Sequence, residues 1–189
     1  MDTNTVEITA EITPNPNTLK FNVNKALLDS GSLNFPDLKS AKGAYLPERL
    51  FEVESVLGVM IGRDFITVTK QPASSWQAIV PTVTEKIKAI LSSDETLFPQ
   101  ELKTVAAASG SGNSTDIEKK IREILDSEIR PAVAMDGGDI TFYGYHDGVV
   151  TLHLQGSCSS CPSSVMTLKM GVENRLRQAI PEVKEVVQV

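Results

Sequence analysis

Between Ala106 and Ser114 the chain reads AAASGSGNS, nine small or polar residues with nothing to bury. Such a stretch behaves as a flexible connector, and it divides the sequence into two blocks that each carry their own strand and helix periodicity. A chain interrupted in this way is expected to build two small cores rather than one. The expected division is residues 1–92, a linker over 93–114, and residues 115–189. Leu97 to Val105 is the ambiguous part of that linker and is read as at most a short helical turn.

The first block opens with alternation: Val6, Ile8, Ala10 and Ile12 on one face, Thr5, Glu7, Thr9 and Glu11 on the other. That is the period of a half-buried strand. Pro14-Asn15-Pro16-Asn17 turns the chain and Thr18 to Val23 reads as a second strand. A short helix is expected near Pro47 to Phe51, with Pro47 in its first turn. Val56 to Ile61 and Phe65 to Thr69 flank Gly62-Arg63-Asp64 as a hairpin. Trp76, Ile79, Val80, Val83, Ile87 and Ile90 recur at helical spacing, with Trp76 read as core. The order is β-β-α-β-β-α.

The second block begins with Thr115-Asp116-Ile117-Glu118, the spacing of a capping box. Ile117, Ile121, Ile124, Leu125 and Ile129 line one face of the helix that follows, and Pro131 is expected to stop it. Asp136-Gly137-Gly138-Asp139 reads as a tight turn, in preference to a carboxylate pair for metal or acid–base work. Two strands follow, Ile140 to Tyr145 and Val149 to Gln155, joined at Asp147-Gly148. A helix carrying Val165, Leu168, Val172, Leu176 and Ala179 on its inner face ends at Pro181, and Val183 to Val189 makes a last strand. This order is α-β-β-α-β, and the fold class is α+β.

Cys158 and Cys161 are the only cysteines of 189 residues. One close pair cannot form the disulfide framework of a secreted protein, so a working dithiol in a reducing compartment fits better. Two intervening residues let both sulfurs face one metal centre. An iron–sulfur cluster, or an all-cysteine zinc site, takes four thiolates and this chain supplies two. His146 is about 20 Å of strand away from the cysteine loop, and His153 shares the polar parity of Thr151 and Gln155. Neither histidine is expected as a ligand. A symmetric dimer supplies four thiolates, two from each loop, which matches a four-iron cluster at a site that can open to release it. Pro162 pushes Cys161 toward an extended conformation and suits the first helical position, so both thiols should be exposed loop groups just before a helix start. The rival reading is a thioredoxin-like thiol–disulfide oxidoreductase. The order of elements is taken to lack the βαβ unit of that fold, and structural zinc is a third possibility.

The formal charge of −6 gives no reason to expect nucleic acid, and no apolar run reaches the roughly 20 residues of a membrane span. Hydrolase motifs such as a Walker A loop, HExxH and GxSxG do not occur, so no enzymatic activity is expected. Met1 to Asn4 carry no basic or apolar leader. A bacterial cytoplasm is the expected location, with an organelle matrix possible if a presequence has been removed.

Asp136-Gly137-Gly138-Asp139 after Arg130-Pro131, with the run Leu154 to Ser164 around the cysteines, resembles the NifU-like C-terminal domain of Nfu-type scaffolds. Thr13 to Phe21 and Asp64 to Lys70 resemble the Nfu N-terminal domain. The resemblance implies that Cys158 and Cys161 bind a [4Fe–4S] cluster at a homodimer interface. It also implies that the cluster is received from upstream assembly proteins and delivered to apo-protein clients, with the N-terminal domain helping to contact partners.

Overall fold

The computed structural model describes residues 5–93, 95–99, 101–102, 115–159 and 162–189. Met1 to Asn4, the small-residue stretch 106–114, Ser160 and Cys161 lie outside the described residues.

The N-terminal half is a five-stranded antiparallel sheet under two helices. Its elements are β1 (Ile8–Ile12), β2 (Thr18–Val23), β3 (Leu33–Phe35), α1 (Tyr45–Phe51), β4 (Val56–Ile61), β5 (Phe65–Lys70) and α2 (Trp76–Ser92). The strands lie in the order β1-β2-β5-β4-β3. The Gly62 hairpin holds its register, with Ile61 opposite Ile66. Alternate residues Leu19, Phe21, Val23, Val59, Ile61, Ile66 and Val68 point to the helical layer. Helix α2 meets them with Ile79, Val83, Ile87 and Ile90, and Ser75 caps it by accepting from the Gln77 N–H. Burying each of these side chains stabilises the half by about 1.5–3 kcal/mol.

Three local expectations change. Strand β3 went unread because it is only three residues long, between Gly31 and Pro36. The first strand's alternation buries its face only at the start: Val6 is buried and Ile8 packs on the core, whereas Ala10 is exposed and Ile12 is 89% exposed, at the sheet's edge. Phe98, inside the expected linker, is fully buried in the N-terminal core with Leu97 and Leu102 packed against it.

The C-terminal half has a separate apolar cluster and a three-stranded sheet. Its elements are α3 (Asp116–Ile124), a π-helical turn (Leu125–Ile129), α4 (Arg130–Met135), β6 (Gly138–His146), β7 (Val149–Gly156), a 3₁₀ turn (Ser157–Ser159), α5 (Pro162–Ala179) and β8 (Glu185–Gln188). The capping box is present: Thr115 Oγ1 accepts from the Glu118 N–H, and Glu118 accepts from the Thr115 N–H. Pro131 does not stop the helical run. The widened turn before it lets the chain resume a helix with proline in the first positions, where its missing N–H is harmless. The hairpin turns at Asp147-Gly148, both with positive φ. Ile180 rather than Ala179 closes the inner face of α5.

Strand β8 pairs parallel to β7, so β7, α5 and β8 form a parallel βαβ unit. The expectation that this unit is missing is therefore corrected, and topology does not argue against the redox reading. The architecture as a whole is α+β. Among the described residues, no helix is long and apolar enough to cross a membrane.

Candidate functional site

Cys158 sits in the 3₁₀ turn between β7 and α5. Gly156, with φ of 65°, swings the chain out of β7. The turn is then stapled on three sides. Ser159 Oγ donates to the Gly156 carbonyl at 2.8 Å, the Ser157 N–H to the Gly137 carbonyl at 3.1 Å, and Ser157 Oγ to the Asp136 carbonyl. Helix α5 starts at Pro162, directly after the motif.

The two central glycines of Asp136-Gly137-Gly138-Asp139 have different tasks. Gly137 adopts φ of 74° and makes the corner between α4 and β6. Gly138 instead makes room for the thiol, since a Cβ there would lie 2.6 Å from Cys158 Sγ. The thiol nests in this seat, 3.7 Å from Ser157 Oγ. Cys158 is 4% exposed and belongs to the C-terminal apolar cluster. That corrects the expectation of an exposed loop thiol: the turn folds back against Gly138 instead of projecting into water.

Asp139 is a junction, not one of a catalytic carboxylate pair. Its Oδ1 accepts from the Ile140 N–H at 2.7 Å and lies 3.6 Å from Arg130 Nε, while its Oδ2 accepts from Ser32 of the N-terminal half. A cavity of about 330 Å³ opens beside Cys158, lined by Val133, Asp136, Thr167, Leu168 and, from the N-terminal half, Pro14. Asn15 Nδ2 donates to the Ser157 carbonyl at 3.1 Å, so the N-terminal half touches the cysteine turn directly.

Helix α5 is braced behind the site. Arg175 grips Glu128 of the π-helical turn through Nε at 2.6 Å and a second nitrogen at 2.5 Å. This ion pair holds the Glu128 carboxyl below its ordinary range and raises the Arg175 guanidinium. His146 is at the hairpin tip beside Asp147, and His153 Nδ1 contacts the Val189 carbonyl on the outer sheet face. Among the described residues no three His, Cys, Asp or Glu side chains gather as a metal site. Within them, the loop offers one thiolate, Cys158. Any four-thiolate centre needs Cys161 and a further donor pair.

Residues 121–187 match the NifU-like domain family, and residues 8–94 match the N-terminal domain of scaffold protein Nfu/NifU. The human protein named NFU1 iron–sulfur cluster scaffold homolog, mitochondrial, is 42% identical over 183 residues, covering 96% of this chain and 71% of its own length. The chain belongs to the Nfu/NifU family. NifU-like protein 4, mitochondrial, of Arabidopsis thaliana is 40% identical over 189 residues, covering 97% of this chain and 66% of its own. A NifU-like protein from Saccharomyces cerevisiae, solved by NMR, covers 53% of this chain and 90% of its own at TM-score 0.47 and 24% identity. This Nfu/NifU chain thus spans about two thirds of the length of these curated relatives. Their names overturn the expectation of a bacterial cytoplasm and point to a mitochondrial or organellar location. That expectation rested on the first four residues, which say nothing about what precedes them in a longer protein.

The sequence reading missed Asn15, Ser32, Met60 and Thr67, the N-terminal residues that meet the cysteine loop and its flanks. One signal was present. Val59-Met60-Ile61 is apolar at three successive strand positions, and such a run belongs to a strand covered on both faces.

Proposed function

We propose that this chain is an iron–sulfur cluster scaffold and carrier. It holds a [4Fe–4S] cluster between two copies of itself through Cys158 and Cys161 and passes it to apo-proteins, with no catalysis of its own. The carrying observation is the seat at Gly138, which fixes the Cys158 thiol in a stapled turn immediately before a helix start. A preformed turn lowers the ordering cost of gathering ligands, and a helix N-terminus favours thiolate over thiol. Two thiolates per chain fall short of four, so the complete donor set requires a second chain. Membership of the Nfu/NifU family supports the cargo, since relatives are named as iron–sulfur cluster scaffolds.

The two apolar clusters share no residue, which supports a division into two domains with the boundary between Leu102 and Thr115. The second domain carries both cysteines. The first contacts clients or the upstream proteins that supply the cluster, within a mitochondrion or related organelle.

The test is anaerobic reconstitution of the full chain with iron and sulfide, beside Cys158→Ser and Cys161→Ser. The wild type should gain a cluster absorption band and about two irons per chain, and each variant should gain neither. Equal iron and sulfide in wild type and variants would refute the assignment.

A further inference from the structure

The centre of the outer face of the N-terminal sheet, around Met60 and Thr67, is covered by the C-terminal half at the cysteine turn. Met60 lies on that face and is 1% exposed, yet it is not part of the N-terminal apolar cluster. What covers it is Gly156, whose missing Cβ would fall 2.8 Å from Met60 Sδ. Thr67, on the same face, is also 1% exposed. It packs on Gly137, where a Cβ would lie 2.8 Å from Thr67 Cγ2 and 3.1 Å from Thr13 Cγ2. Hydrogen bonds complete the contact. Asn15 reaches the Ser157 carbonyl, and Ser32 donates to Asp139 and lies 3.3 Å from Gln155 Oε1. Pro14 forms one wall of the cavity beside Cys158.

This seam differs in kind from the two cores. It joins them without merging them, and it relies on small side chains and a few polar bonds around one methionine. Contacts of that composition resemble transient interfaces, for which relative motion is the default. Both partners are on one chain, so the seam can re-form intramolecularly at a high effective concentration.

We infer that the N-terminal half is a reversible cap on the cysteine turn, and that it must undock before a second chain can bring its thiolates to Cys158. The inference rests on the proposed two-chain cluster site. In the docked form Pro14 walls the cavity that opens beside Cys158 and Asn15 holds the Ser157 carbonyl, so the docked half adds to the shelter that the Gly138 seat already gives the thiol. Undocking exposes the turn, and a cluster bound between two turns keeps the cap off. The cap thus protects an unloaded thiol from adventitious metal and oxidants.

The experiment uses the intact cluster-free chain and two variants on the outer face, Thr67→Lys and Ser32→Ala. Thr67 points away from the N-terminal helices, so a lysine there wedges the seam without entering that core. Alkylation of Cys158 by iodoacetamide is followed by mass spectrometry under native conditions, with far-UV circular dichroism as the check on folding. Its rate reports the population of the open form when opening and closing are fast. Thr67→Lys should alkylate about tenfold faster than wild type, the effect of about 1.4 kcal/mol on the opening equilibrium, and Ser32→Ala should be faster by a smaller factor. Unchanged rates in both folded variants would overturn the cap, as would wild-type alkylation as fast as that of the unfolded chain. Cluster uptake on anaerobic reconstitution should accelerate in the same order. Faster alkylation with unchanged uptake would overturn the gating step. Faster alkylation with no cluster in any form would keep the thiol shelter and sink the cluster assignment beneath it.

Discussion

The outer faces of the two sheets look alike in sequence and behave differently in the fold. Strands β2 and β5 alternate core residues with Thr18, Lys20, Thr67 and Thr69, and β7 alternates them with Thr151, His153 and Gln155. On the C-terminal sheet that second face is open or half-buried, and neighbouring Tyr143 of β6 is 65% exposed. On the N-terminal sheet Lys20 and Thr69 are half-buried as well, but Thr18, Met60 and Thr67 are fully buried. A polar strand face is therefore not proof of solvent. Threonine suits a seam that must separate, because its hydroxyl tolerates either water or a neighbour, whereas a leucine face would lock the halves together.

The sharpest way to break this comparison is to remove the chemistry from one side. If the C-terminal turn holds the cluster and the N-terminal face only covers it, Cys158→Ser should abolish cluster binding while Thr67→Lys should retain it. Iron and sulfide analysis after reconstitution decides between them. Since Cys158 is buried, its serine variant should also lose about 1–3 kcal/mol, for placing a hydroxyl where the thiol packed.

A second comparison sets Met60 against Ile66, which adjoins Thr67, the cross-strand partner of Met60. Ile66 points into the N-terminal core and is fully buried, so Ile66→Ala should cost about 2–5 kcal/mol in denaturant unfolding. Met60 faces the seam, and Met60→Ala should cost only about 1 kcal/mol, because the seam can open instead of retaining a cavity. Equal costs would make the seam part of one continuous core.

Next comes the thiol seat. Gly138→Ala places a methyl 2.6 Å from Cys158 Sγ and 3.0 Å from the Gln155 carbonyl. It should destabilise by about 1–3 kcal/mol and reduce cluster retention, measured as the rate of iron loss to a chelator. Gly144→Ala meets nothing within 4 Å and serves as the control.

The smallest effect is electrostatic and confined to the C-terminal half. Arg175 depresses the Glu128 carboxyl in the folded state. Stability from that pair is therefore complete above the unfolded carboxylate value of about 4.3 and lost as pH falls through the lower folded value. The melting-temperature gap between wild type and Glu128→Gln should be present near neutrality and shrink below about pH 4. The pair is exposed, so the gap should be small and weaken with salt.

Local chemistry was legible in the sequence. The capping box at Thr115, the Asp147-Gly148 hairpin and the helix start at Pro162 each depend on a few adjacent residues, and each stands where those residues put it. The family was legible for a related reason: its motifs are short, local and dense in glycine and proline. What the sequence hid was decided by distant partners. Pro131 reads as a stop unless the π-helical turn before it is known. Phe98 reads as linker until the N-terminal core is seen to take it in. Cys158 reads as an exposed loop thiol because neither its seat at Gly138 nor the nearby N-terminal half adjoins it in the chain. Even Met60, which broke the strand alternation, signalled only that something covered it.

The most direct test of the shared cluster is native mass spectrometry of the full-length chain after anaerobic reconstitution. The expected species is two chains carrying four irons and four sulfides, accompanied by cluster-free monomer once a chelator is added. A single chain retaining a complete cluster would contradict a site built between two copies of Cys158 and Cys161.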